Sequence, residues 1–283
     1  RQEAEKKNDW KHATIEELQA EDREQAPKVV MIVRDAAGNV LRQLDASREA
    51  GMHRMAWNLR LPLTTPIQLT TRQLDPWESE QDGPLVPPGT YSVQLAKVVD
   101  GVTTMLDAPV SFEVRDLDAA TLAAKGPARA EKFEFERKLG DLQRATEGTS
   151  SVLGEVANRL NHLRKGITQA PGVDPGVAAD LEALRTRHGE IQRSLGGDST
   201  LADRAVAQAP SIRERIGNAM YSTLNSTQPP TKTQREQYDI AAERFEKVLA
   251  DTKTLVADLE ALEAKLEGKR VPWTPGRVPE WKR

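Results

Sequence analysis

FERKLGDLQRATEGTSSVLGEVANRLNHLRKGI, residues 135–167, is the stretch on which the fold class turns. Phe135, Leu139, Leu142, Thr146, Thr149, Leu153, Val156, Leu160, Leu163 and Ile167 follow one another by alternating steps of four and three. That spacing puts them on one stripe of a helix, the pattern of long helices packed near-parallel with the stripe turned inward. Tyr238, Ala241, Phe245, Val248, Thr252, Leu255, Leu259, Leu262 and Leu266 repeat the pattern. A shorter third stripe runs through Val177, Leu181, Leu184, His188, Ile191 and Leu195.

Helix ends are marked as clearly. APGVDPG breaks the chain after Ala170, and Pro175 stands where a helix tolerates proline, in its first turn. Ser211 with Glu214, and Thr231 with Gln234, have capping-box spacing, and Pro229-Pro230 separates the last two helices. Helices over 127–169 and 231–267 are expected, about 65 Å and 55 Å long. Neither 175–195 nor 211–226 matches them alone, but end to end they nearly do. The expectation is a three-rod bundle whose middle rod breaks near Gly196-Gly197, with an unequal four-helix bundle as the alternative.

Before the helices, from Lys28 to Arg115, the period is two. KVVMIVRDAAGNVLRQL reads as a strand, a Gly38-Asn39 turn and a second strand. GMHRMAWNLR alternates, with His53, Met55, Trp57 and Leu59 on one side, and Trp57 reads as the central core residue. In GPLVPPGTYSVQL, Pro87 and Pro88 fix the turn and Gly89 frees it. Tyr91, Val93 and Leu95 then point one way. Asp100-Gly101 is a two-residue hairpin signal, and Val110, Phe112 and Val114 alternate on the last strand. Some six short strands imply an antiparallel sandwich. The fold class expected is therefore α+β and multidomain: an antiparallel immunoglobulin-like β-sandwich over 28–115, then a long antiparallel helical bundle over 116–267. Residues 1–27 form a charged tether with a capping box at Thr14 and Glu17, and 268–283 a tail rich in Trp and Pro. Burial of the tail's Trp273 and Trp281 is expected to dock it.

Composition removes several function classes. The 283 residues carry a net charge of −3, without the basic excess of a nucleic-acid binder. Cysteine is absent, which excludes disulfides, thiolate metal sites and cysteine nucleophiles. No apolar run approaches the roughly 18 residues of a membrane span, and no signal peptide is read. The chain starts with Arg1, as a mature or excised piece of something longer would.

Signs of chemistry are sparse. His12, His53, His162 and His188 have no zincin spacing, and His188, on a seam, reads as a half-buried structural histidine. GTSSVLG lies within a seam and GGDS within a helix break, so neither reads as a phosphate loop. Asp116 and Asp118 read as caps of the first long helix. Asn225-Ser226-Thr227 matches a glycosylation sequon, a match too common to decide anything. The excursion 61–84 is long for a loop, and such loops tend to be functional. Its Asp75, Glu78, Glu80 and Asp82 crowd Trp77, a pattern suited to sugar or calcium but more often a solvated loop with one anchoring ring. Trp77, Asp75, Glu78 and Asp82 are the candidate ligand-binding residues. No catalytic, metal or cofactor residue is expected.

GMHRMAWNLR, the Pro-rich excursion and GPLVPPGTYSVQL together resemble the C-terminal region of large bacterial β-propeller proteins, the sortilin-like, BNR-repeat proteins often labelled glycosyl hydrolases. The Trp strand followed by a PPG-Tyr strand is also similar to the immunoglobulin-like domain of flagellar-hook-capping proteins. SIRERIGNAMYSTLNSTQPPTKTQREQYDIAAERF and WTPGRVPEW resemble the same propeller-associated region, so the likeness covers nearly the whole chain. It implies a periplasmic or secreted bacterial protein with a β-propeller before Arg1. With that propeller as partner, a non-catalytic accessory role is the expectation for this region; a carbohydrate or protein ligand is a further partner considered, and a heptad stripe can equally close against a second copy as a homodimer. The propeller's Asp-box repeats are absent here, so no catalytic residue carries over. A carbohydrate- or peptide-binding module using the 61–84 loop is the alternative.

Overall fold

The computed structural model describes residues 13–67, 69, 83–116, 127–170, 172–226, 228–269 and 271–281. It is a mixed α+β structure with a five-stranded antiparallel sheet and, among the described residues, six helices. The chain divides into two compact units, one of Arg1–Leu61 with Pro88–Leu117 and one of Pro62–Pro87 with Asp118–Arg283.

The first unit opens with helix α1 (Ile15–Arg23), closed at its start by the expected capping box of Thr14 and Glu17. Strands β1 (Lys28–Asp35) and β2 (Val40–Ala46) follow as a hairpin. Gly38 takes φ +85°, the left-handed conformation that ends a three-residue loop. Asn39 is the closing residue, not part of the turn: its backbone N–H and its side-chain amide donate to the two carboxylate oxygens of Asp35, at 2.8 and 2.9 Å. That side-chain bond holds the Asp35 carboxyl below its ordinary pKa.

Strand β3 (Gly89–Val99) turns through Asp100 and Gly101 into β4 (Val102–Met105) and then β5 (Val110–Val114). Both turn residues have positive φ, 49° and 79°, as a tight two-residue hairpin requires. Strand order is β2-β1-β3-β4, and β5 also pairs with β3. Thus β4 and β5 lie along the same edge of β3, Met105 opposite Ala96 and Val110 opposite Val93. The edge advances from 105 to 110 while β3 steps back only from 96 to 93, so the outer strand bulges. The Gln94 side chain fills the gap by donating to the Asp107 carbonyl at 2.7 Å. Such a break blunts an otherwise open sheet edge.

One expected strand does not form. Residues 51–59 make no ladder, and positive φ at Gly51 and Leu59 brackets them. The alternation survives without the ladder: Met55, Trp57 and Leu59 are half-buried while Arg54, Ala56 and Asn58 are exposed. Trp57 meets Tyr91 and Phe112 edge-on, ring centroids 6.0 and 6.3 Å apart. The segment thus lies over the sheet face at those two cross-strand partners. Such pairs are worth about 0.5–1.5 kcal/mol beyond simple burial. Leu95 shares the side of Tyr91, as the alternation predicts. It is exposed, and the fully buried residue is its neighbour Ala96, which joins Val30 and Ile32 on the opposite face.

In the second unit, helix α2 (Pro127–Thr168) spans 42 residues and α6 (Lys232–Glu267) 36. Between them come α3 (Pro175–Gly196), the single turn α4 (Ser199–Ala202) and α5 (Ile212–Leu224). Asp174 caps α3, with Pro175 in its first turn, and the boxes at Ser211 and Thr231 form as expected. Both α3 and α5 pack on α2 and on α6. Every residue of the α2 stripe is buried except the half-buried Ile167, and every residue of the α6 stripe except the half-buried Tyr238. Thr149 and Thr252 bury their hydroxyls by donating to the carbonyls one turn back, Ala145 and Val248. Gly140 is where a segment from before the helices comes close, since a Cβ there would lie 3.3 Å from Thr64.

The tail docks, but not by its indoles. Trp273 and Trp281 remain 60% and 80% exposed, whereas Val271, Thr274 and Arg277 are buried. Arg277 donates to the carbonyls of Val271 and Pro272, and Trp273 Nε1 donates to the Arg277 carbonyl at 2.8 Å. Gly276, at φ +94°, rests on the Arg159 guanidinium, with room for no Cβ: one would sit 2.5 Å from Nε. Arg159 in turn grips the buried Glu263 through both carboxylate oxygens. The tail is therefore fastened by Val271 and Thr274, which seat against Gly166 of α2, and by Arg277 and the Glu280 N–H, which both meet the Glu267 carboxylate of α6, while the Arg277 bonds to Val271 and Pro272 fold the tail on itself. Truncating Leu259, fully buried in the seam, to Ala should lower helical-unit stability by about 2–5 kcal/mol in denaturant unfolding followed by circular dichroism. A loss below about 1 kcal/mol would mean that the seam is not closed.

Candidate functional site

Between α3 and α5 the chain leaves its longer helices, and a cleft of about 750 Å³ opens there. Its floor is apolar: Ile191, Ile212 and Val248 are all buried. Its rim is charged, with Arg187, Arg193, Arg244 and Lys247 against Glu190, Asp198 and Asp251.

The loop side of the cleft is held by side chains bonding to backbone. Gln208 pairs with Asp198 both ways, accepting from the backbone N–H and donating to the carbonyl, each at 3.2 Å. This imitates a strand bridge and ties residue 198 to 208. Arg244 donates to the Pro210 carbonyl at 3.3 Å and fixes the loop's far end to α6. Gly197, φ +91°, makes the turn out of α3. At the entry to α5 the Glu214 carboxylate accepts from the Ser211 N–H and hydroxyl at 2.7 and 2.9 Å. Those backbone and side-chain bonds depress the Glu214 pKa.

The rim charges differ in commitment. Arg187 pairs with Asp258 and Lys247 with Asp251, each at 2.5 Å. Asp198 accepts from the Thr200 N–H as the cap of α4. Arg193 and Glu190 have no side-chain partner among the described residues, and Arg244 is met only by a neutral carbonyl. The cleft is preformed and amphipathic, and its uncommitted donors are mostly guanidinium. A ligand with an apolar body and an oxyanion fits that chemistry.

The sequence-predicted ligand residues Trp77, Asp75, Glu78 and Asp82 lie outside the described residues, as do His12 and Asp118. The remaining histidines sit apart and bond to carbonyls: His53 to Glu49, His162 to Asn158, and His188 to Leu153 of α2 at 2.9 Å. His188 is thus the half-buried structural histidine the seam predicted. Among the described residues no group of three or more His, Asp or Glu is placed to hold a metal ion, and no helix is long and apolar enough to cross a membrane. Asn225 ends α5 with its side-chain amide on the Tyr221 carbonyl. The shifted pKa values trace to turns, caps, pairs and burial: Asp35 and Glu214 are lowered by hydrogen bonds, Arg159 is raised by Glu263, and Tyr91 and Tyr238 are raised by burial.

The cleft was not foreseen from sequence. Its residues come from α3, from the loop, from the start of α5 and from α6, and only Gly196-Gly197 signalled the break that brings them together. Compared with known proteins, the chain matches no family model, no curated protein and no solved structure.

The Glu214 cap gives a signed pH dependence. Its folded pKa is below the ordinary value of 4.5, so its contribution is present above that pH and is lost as pH falls through the folded value. Thermal unfolding between pH 6 and 2 should show Glu214→Gln losing less stability on acidification than the parent. Parallel curves for the two would refute the cap's role.

Proposed function

We propose that the chain is a non-catalytic accessory module, a rigid support or link for a β-propeller in the same extracytoplasmic polypeptide, periplasmic or secreted. In this reading the five-stranded sheet and the overlying Trp57 segment are an immunoglobulin-like sandwich, and the long helices are a bundle with a broken middle rod. The observation that carries the reading is the seam. Leu139, Leu153, Leu160 and Leu163 of α2, with Leu255, Leu259 and Leu266 of α6, are at most 2% exposed, and the buried Thr149, Thr252 and Glu263 among them are engaged by carbonyls and Arg159, so the interior of the rods leaves little for chemistry. The resemblance of GPLVPPGTYSVQL and WTPGRVPEW to propeller-associated regions supplies the context.

The test has two arms. The coding sequence upstream of Arg1 should encode repeated propeller blades, and an initiating methionine in their place would remove the proposed context. The purified chain should give no turnover on a broad panel of chromogenic glycosides. Turnover abolished by one carboxylate substitution would make it a hydrolase, since such enzymes work through a pair of carboxyl groups.

The preformed cleft favours a second reading, a binding module for carbohydrate or peptide, with the ligand in this cleft; the 61–84 loop is the place the sequence alone suggests for it. Calorimetric titration with neutral and uronic-acid oligosaccharides and with acidic peptides distinguishes the two. Binding of an acidic ligand, weakened about tenfold or more by joint Arg193→Ala and Arg244→Ala substitution, supports the module, because charge-assisted hydrogen bonds are the strong ones. No binding leaves the support reading alone.

A further inference from the structure

A row of large apolar side chains crosses the sheet from edge to edge. Met31 of β1 stands opposite Leu44 of β2 and Leu95 of β3, and the Leu106 N–H bonds to the Leu95 carbonyl at 2.9 Å. All four belong to the face that carries Tyr91, because residues two apart on a strand share a side. Trp57 covers that face only at the Tyr91 and Phe112 end. Along the row Met31 and Leu44 are half-buried and Leu95 and Leu106 exposed, the last at 46%, with Val99, Val102 and Val110 exposed beside them on the same face. Two cations flank the row on this face: Arg42, opposite Val33, and Lys97, opposite Val29. Neither has a partner among the described residues. The one carboxylate there, Asp35, is occupied at its turn by Asn39.

Helix α1 is the complementary object. It has no buried residue; Ile15 is 72% exposed and Leu18 is exposed beside it, one turn on. Asp22 continues that side at the next turn, and Glu16 flanks it; both lack partners among the described residues. The other side of the helix, with Glu17, Glu21, Arg23 and Glu24, lines an open hollow together with Asp100. Among the described residues, then, an acidic amphipathic helix and an apolar face flanked by unpaired cations both stay exposed.

We propose that this face is the docking surface for helix α1 of a second copy of the chain, exchanged reciprocally in a two-fold dimer. Ile15 and Leu18 cover the Met31-Leu95-Leu106 row, and Glu16 and Asp22 approach Lys97 and Arg42. Reciprocal exchange of one element between identical chains closes at two copies, and the symmetry makes every contact twice. The hinge is Glu24–Pro27, whose far end is fixed to the sheet unit by the Arg48 side chain donating to the Pro27 carbonyl at 3.1 Å. The heptad seam, the other surface on which a second copy was conceivable, is filled within the chain.

Sedimentation equilibrium of the full chain from about 1 to 100 µM, the range of a modest interface, should show a monomer–dimer equilibrium. Ile15→Asp with Leu18→Asp, at exposed positions that leave the fold intact by circular dichroism, should raise the dissociation constant at least tenfold, and so should Leu106→Asp. Mixing these two variants should restore weak association, because one intact helix-to-face contact remains. Arg42→Glu with Lys97→Glu should weaken the dimer, and adding Glu16→Lys with Asp22→Lys should rescue it. A monomer at every concentration overturns the proposal, as does a dimer indifferent to all of these changes. A monomer whose α1 amides are protected from hydrogen exchange also overturns it, since the helix would then dock on its own sheet.

Discussion

Two helices of 42 and 36 residues each carry one stripe of leucine, valine and phenylalanine about a hundred degrees wide, and the axial register between the stripes constrains every other part of the second unit. Stripes with steps of four and three interlock only when each knob meets a hole, so the long helices slide past one another only in whole repeats. The Arg159–Glu263 pair removes that freedom. Two hydrogen bonds between a guanidinium and a carboxylate, both largely withdrawn from water, form in one alignment alone. A buried ion pair contributes little net stability against an apolar replacement, but it penalises strongly any arrangement that leaves either charge alone. The tail reads the same register: Gly276 lies on that guanidinium, and Val271 and Thr274 on Gly166, so a slipped helix would have nowhere to seat it.

α3 and α5, of 22 and 13 residues, are each much shorter than α2 and α6. α3 covers part of the long seam and α5 another part, with loop residues 197–211 between them. A loop has no internal ladder to satisfy its backbone, so side chains must do it: Gln208 for residue 198, Arg244 for Pro210, Glu214 for Ser211. Those bonds hold the cleft open and rigid, and they use polar side chains that a continuous helix would have turned to solvent. The cleft thus arises from a packing solution, and the same local chemistry makes it fit to bind.

Legibility followed the range of the interaction. Periodic and local signals were readable: the stripes, the capping boxes at Thr14, Ser211 and Thr231, the Asp100-Gly101 turn and the place of His188 all depend on residues within a turn or two of each other. What needed a distant partner was not. Arg159 and Glu263 are 104 positions apart and look, in sequence, like two solvated charges on helix surfaces. The tail was expected to dock by burying indoles, yet Val271 and Thr274 seat it on Gly166 and the Glu267 carboxylate holds Arg277 and the Glu280 N–H, contacts that no local pattern announces. GMHRMAWNLR shows the limit of period two. The alternation tells which side chains face inward, but ladder formation depends on a free edge, and here the segment lies across a face.

The sheet shows the same economy in another form. A strand alternates its side chains, so β1 and β3 each present apolar groups to both faces, and the burial changes side along their length. Near Tyr91 the Trp57 face is covered; near Ala96 the opposite face is, through Val30 and Ile32. A sheet buried on one face only would show Leu95 inside with Tyr91 and Val93. Because the covering segment stops short, Leu95 is left outward with Met31, Leu44 and Leu106 beside it. Water against four adjacent large apolar side chains is a standing free-energy cost of about 25 cal/mol for each Å² left uncovered. The bulge at Asp107 and Pro109 prevents the open edge from relieving that cost by pairing with another strand. What remains open to a partner is the face, and a face accepts a helix more readily than a strand, since a helix brings its backbone hydrogen bonds already made.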